Sequence, residues 1–176
     1  MLDLLIPTIL LIILALFIYS ENSKLNKLAI NTGGKFCFNF FGSYILFNKF
    51  KLFYRYVERS SPPEIWLESN FGIKNIGEVE IKKVLTGGDI KLNNNFFTLN
   101  LIKCPLSKEE ILDKGLFEIL RKNHDSFSML RINSIGITGY TCAPLSDHEK
   151  IKSFLHAYNE IYKNLEIHNQ VELNHQ

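Results

Sequence analysis

The chain has 176 residues, a formal net charge of +2 and 46% hydrophobic residues, which leaves room for a membrane segment and one domain with its own core. Lysines and acids are interspersed along it, and so small a positive excess argues against nucleic acid as a partner. Three cysteines, Cys37, Cys104 and Cys142, form no C-x-x-C pair and no Cys/His cluster at zinc spacing, so a metal site is not expected and reduced cytosolic thiols fit better than a disulfide framework.

The first element is an almost unbroken apolar run from Leu4 to Tyr19. As a helix it spans about 24 Å, against a hydrocarbon core of about 30 Å, so Tyr19 and Lys24 at its flank must help cover the mismatch. A cleaved secretory signal would need a basic leader and small residues before the cut. Here the only charged side chain ahead of the run is Asp3, and residues 15–19 offer no A-x-A-like pair. Pro7 falls where a helix tolerates a missing N–H. The run has no polar face, which disfavours a helix of a soluble core. Residues 1–20 are therefore expected to be an uncleaved transmembrane anchor whose partner is membrane lipid. Lys24, Lys27 and Lys35 follow it, and the positive-inside rule puts the rest of the chain in the cytoplasm, on an inner or cytoplasmic membrane.

Residues 21–34 are polar, end in Gly33-Gly34 and read as a tether. Residues 35–167 read as one domain, expected to fold alone when the chain starts near Asn31, and residues 168–176 as a flexible tail. In the first part of the domain Phe36, Phe38 and Phe40 alternate with Cys37 and Asn39, and Gly42-Ser43 or Asn48-Lys49 turns the chain into a strand over 51–58. Ser61-Pro62-Pro63 forces a loop. Further strands are predicted over 64–71, 78–82 and 96–101.

Ser107 to Glu110 has the form of a capping box and opens a helix to about Lys122. Residues 127–132 and 135–140 form a hairpin on Asn133-Ser134. A second box, Ser146 to Glu149, starts a helix whose stripe of Ile151, Phe154, Leu155, Tyr158, Ile161, Tyr162 and Leu165 should lie on the sheet. The fold class is α+β: an N-terminal transmembrane helix, then a largely antiparallel sheet with two helices packed on one face.

This order of elements, with DIKLNNNF from Asp89 to Phe96, resembles a loose group of uncharacterised bacterial membrane-anchored proteins that place a D-x-x-F-D-x-x-F element between a sheet-forming half and a helix–hairpin–helix half. Asp89 and Phe96 match the pattern. Leu92 and Asn93 stand where it has Phe and Asp, which removes a carboxylate. The resemblance extends over roughly residues 35–165 and implies no activity.

Aromatics concentrate between Phe36 and Tyr56, interleaved with Lys49, Lys51 and Arg55. Alternate rings are expected in the core, since aromatics favour strands. Rings left outside would form a surface for a protein partner or for the bilayer, and Phe41, Tyr44, Phe50, Tyr54 and Arg55 are the binding candidates. Gly87, Gly88 and Asp89 form either a turn or a ligand loop, although no P-loop pattern is present. The five histidines lack the i, i+4 spacing of metal ligands. There is no G-x-S-x-G elbow, and Glu109, Glu110 and Asp113 suit the start of a helix whatever its role. No catalytic residue and no cofactor is expected. The chain reads as a membrane-anchored, non-catalytic binding or assembly module; the alternative is a membrane-tethered enzyme with a pocket gathering His124, Asp125 or Cys142 with distant carboxylates.

Overall fold

The computed structural model describes residues 2–39, 42–55, 63–70, 77–104, 107–108 and 117–173. Its first element, α1 (Leu2–Thr32), is one unbroken helix with Pro7 near its start. The helix is long and apolar enough to cross a membrane. Residues 21–34, expected as a tether, instead continue that helix almost to its end. Leu25, Leu28 and Ala29 recur at helical spacing and are buried in the core, so this polar segment has one apolar face and packs. A start at Asn31, the boundary expected for a domain that folds alone, would remove all three from the core.

Both residues of the Gly33-Gly34 pair are needed where α1 stops. Gly33 adopts φ +73°, and the Gly34 N–H donates to the Ala29 carbonyl at 3.0 Å, the six-to-one bond of a Schellman cap. A Cβ on Gly34 would run into Ile45 and the Phe47 ring. The first glycine supplies a backbone angle and the second supplies space.

Among the described residues nine strands follow in one fully antiparallel sheet: β1 (Lys35–Cys37), β2 (Tyr44–Leu46), β3 (Lys51–Arg55), β4 (Glu64–Ser69), β5 (Glu78–Val84), β6 (Ile90–Leu92), β7 (Asn95–Ile102), β8 (Met129–Asn133) and β9 (Ile137–Cys142). Their spatial order is β1-β2-β3-β4-β9-β8-β5-β7-β6, so the late β8–β9 hairpin inserts between the two early groups and joins them. The α+β class is as expected; β2 and β6, each of 3 residues, are additional to the predicted strands. The β6–β7 connection is a tight turn at Asn93-Asn94, with Asn93 at φ 53°, a backbone region that asparagine tolerates.

Helix α2 (Phe117–Asn123) covers the described end of the first predicted helix; of its proposed capping box, Ser107 is described and Glu110 lies outside the described residues. Helix α3 (His148–Leu173) is capped by Asp147, one residue after the predicted Ser146. Asp147 Oδ1 accepts from the Lys150 N–H at 3.2 Å, and its carbonyl accepts the first helical bond, from Ile151. A carboxylate is the stronger acceptor at the positive end of a helix. The helix runs through His168 to Leu173, so most of the expected tail is helical.

The core lies on one side of the sheet. A row of facing residues, Ile45, Leu52, Leu67, Gly139, Leu130, Ile81 and Leu99, crosses seven adjacent strands in register. Its side chains are buried beneath Phe154, Tyr158 and Ile161 of α3. Gly139 leaves room for the Tyr158 ring, whose edge would lie 3.4 Å from a Cβ there. The Tyr158 hydroxyl donates to the Ile137 carbonyl at 2.5 Å, and burial pushes its pKa well above the usual phenol range. Glu160 ties α2 to α3, accepting from Lys122 at 2.8 Å and Asn123 at 2.9 Å.

Candidate functional site

Because successive strand side chains point to opposite faces, the core row fixes what lies on the other side. There, Tyr44, Phe53, Trp66, Tyr140 and Met129 stand opposite one another on β2, β3, β4, β9 and β8. The four rings are half-buried and Met129 is buried. Tyr44 and Phe53 lie 5.8 Å apart, and Trp66 stacks on Tyr140 with centroids at 4.7 Å. The two described helices that pack directly on the sheet, α1 and α3, do so through the opposite, core side.

Charges frame this aromatic row on both sides. Toward one end of the strands, Arg55 lies over the Trp66 ring at 5.4 Å, while the Trp66 indole N–H donates to Glu64 Oε2 at 2.8 Å. Toward the other end, Lys51 reaches back over the Tyr44 ring at 5.5 Å. Beyond it Arg131 bridges Glu80 at 2.6 Å and Glu78 at 3.4 Å. The hydrogen bond from Arg131 holds the Glu80 carboxyl below its ordinary pKa, and Glu80 raises the guanidinium in return. Burial against the row pushes the Tyr140 phenol up. The result is a strip of indole, phenol and phenyl rings between charged side chains, able to bury against another surface while the charges stay wet.

Of the predicted binding residues, Tyr44 and Arg55 lie on this face. Phe41 lies outside the described residues. Phe50 and Tyr54 turn to the core side: Phe50 stacks on Phe47 at 5.0 Å and meets Tyr158 edge-on at 5.3 Å, and Tyr54 packs against the core cluster. Trp66 and Tyr140 were missed. The signal for Trp66 was Glu64 and Glu68, two residues to either side of it and therefore on its face.

The Gly87-Gly88-Asp89 segment is a tight structural turn. Gly87 takes φ +72°, and a Cβ on Gly88 would collide with the backbone of Phe97. Asp89 uses both oxygens, accepting from the Leu99 N–H at 2.9 Å and from Lys108 Nζ at 2.8 Å; those bonds lower its pKa. His124 and Asp125 join a polar cluster that fastens the α2–β8 loop to the β6–β7 turn. Asn95 donates to Asp125 at 2.7 Å, Asn93 contacts His124 Nε2 at 3.3 Å, and His124 Nδ1 lies 3.0 Å from the Arg121 carbonyl. Cys142 is not part of that cluster, and among the described residues no group of three or more His, Cys, Asp or Glu side chains is arranged to hold a metal.

A cleft of about 510 Å³ opens between α1 and the sheet, lined by residues from Ala15 to Leu25, by the β1–β2 connection and by Tyr54. Comparison of the chain with protein-family models, curated proteins and solved structures finds no match.

Proposed function

We propose that this chain is a single-pass membrane protein whose α+β domain is a non-catalytic binding or assembly module, and that the outer sheet face is where a protein partner docks. The observation that carries this reading is the row of Tyr44, Phe53, Trp66 and Tyr140, in register on adjacent strands and framed by charged side chains. Trp, Tyr and Arg are the residues that concentrate binding energy at interface centres, and a charged rim sets orientation at little net cost. The apolar helix supports membrane anchoring. Lys24, Lys27 and Lys35 beyond the apolar run, with three cysteines that form no disulfide, support a cytoplasmic domain.

Site-specific photocrosslinking in intact cells tests the docking face. With the photoreactive residue in place of Phe53, one discrete protein adduct is expected, lost when Trp66→Ser and Tyr140→Ser are added. The same probe in place of Leu85, exposed on the β5–β6 turn, should not give that adduct. Equal labelling from both positions, or none from Phe53, would remove the face from consideration. Alkaline extraction of the membrane fraction tests the anchor separately, since a spanning helix stays with the lipid.

A further inference from the structure

The side of α1 that enters the core does not end where the domain ends. Going back from the buried Leu25 in steps of three and four residues, the same side carries Asn22, Ile18 and Ala15, which form one wall of the 510 Å³ cleft. The opposite wall comes from Phe38, Asn39, Gly42, Ser43 and Tyr54. Phe38, beside β1, lines the cleft and is 63% exposed. Such exposure is costly for a phenyl ring in water and favourable at a bilayer interface.

Depth along the helix identifies what fills this space. The apolar run from Leu4 to Tyr19 rises about 24 Å, most of the hydrocarbon thickness of about 30 Å, so Tyr19 stands near its boundary. Ala15 then lies about 6 Å inside it, and Glu21 and Asn22 fall in the headgroup layer. A groove with one wall in hydrocarbon and its mouth among headgroups is amphipathic in the same sense, and over the same distance, as a phospholipid.

We propose that the cleft holds bilayer lipid, an acyl chain lying against Ile18 and Ala15, and that Phe38 seats in the interface beside the helix as a second membrane contact. The proposal rests on α1 crossing the membrane, and the test separates the two. Trp66 is the only tryptophan, so Trp66→Phe gives a dark background for single probes in the full-length chain, reconstituted in phosphatidylcholine vesicles brominated near the glycerol end of the acyl chain. Phe38→Trp reads the loop, Tyr54→Trp the cleft wall, Leu11→Trp the anchor, and Ile135→Trp the exposed β8–β9 turn. Relative to unbrominated vesicles, emission from Phe38→Trp and Tyr54→Trp should fall about two-fold or more, with the Phe38→Trp spectrum shifted to the blue, while Ile135→Trp is unchanged. Protection at Phe38 or Tyr54 while Leu11→Trp, read with bromines deeper in the chain, is quenched would overturn the lipid site and leave the anchor standing. Protection at Leu11 as well would remove both. Quenching that vanishes as protein is raised at fixed lipid would show a second copy in the cleft and also overturn the proposal.

Discussion

The two faces of the sheet use the same strands for opposite ends. On the core side the row from Ile45 to Leu99 is aliphatic apart from Gly139, and its aromatic cover comes from α3 and the β2–β3 connection. On the outer side the facing residues of β2, β3, β4 and β9 are all rings. Aliphatic side chains interdigitate under a helix, whereas flat rings with polar edges tolerate partial exposure. The sheet thus separates an aliphatic core face from an aromatic outer face by strand parity alone.

The largest effect expected on this division comes from α1. A chain beginning at Asn31 lacks Leu25, Leu28 and Ala29, and the two leucines alone correspond to about 2 to 5 kcal/mol each, a large part of the roughly 5 to 15 kcal/mol that stabilises a domain. It should lose cooperative thermal unfolding by circular dichroism, while a chain beginning at Ser20 keeps it; equal melting of the two would show that the core closes without α1. Next comes the contrast between faces. Phe154→Ala, under the sheet, should cost about 3 to 5 kcal/mol in urea denaturation, and Phe53→Ser, outside it, less than about 1 kcal/mol. Similar values would erase the distinction.

The smallest effect is electrostatic. Glu80 has its folded pKa below the ordinary 4.5, so its pairing with Arg131 stabilises the fold above that value and is lost as pH falls through the folded pKa. The contribution is about 1 kcal/mol or less for a pair so near the surface. Arg131→Gln should flatten the acid limb of the stability profile by that amount, and an unchanged acid limb would mean that the pair has no net worth.

The class of the fold was legible because alternation and helical stripes are long-range signals, as in Ile151 to Leu165. The phase of the aromatic strands was not. In β3 the interior residues Leu52, Phe53 and Tyr54 are all apolar, so period two exists without showing which set is inside. The charged ends resolve it, since Lys51 and Arg55 share the parity of Phe53, as Glu64 and Glu68 share that of Trp66. Strands β2 and β6 are too short to show alternation and form because longer neighbours template them. The continuation of α1 past Tyr19 was hidden by composition: Leu25, Leu28 and Ala29 are few among polar residues, and only their spacing betrays a buried face.

Since α1 enters the core without a joint, the domain has no swivel of its own. A transmembrane helix adjusts to bilayer thickness by tilting, typically by about 20°, and across a sheet of nine strands about 4.8 Å apart that swing lifts or lowers the far edge by on the order of 10 Å. Under the proposal that α1 spans a bilayer, the height at which the Tyr44–Tyr140 strip stands above the lipid would follow the thickness of the membrane beneath it.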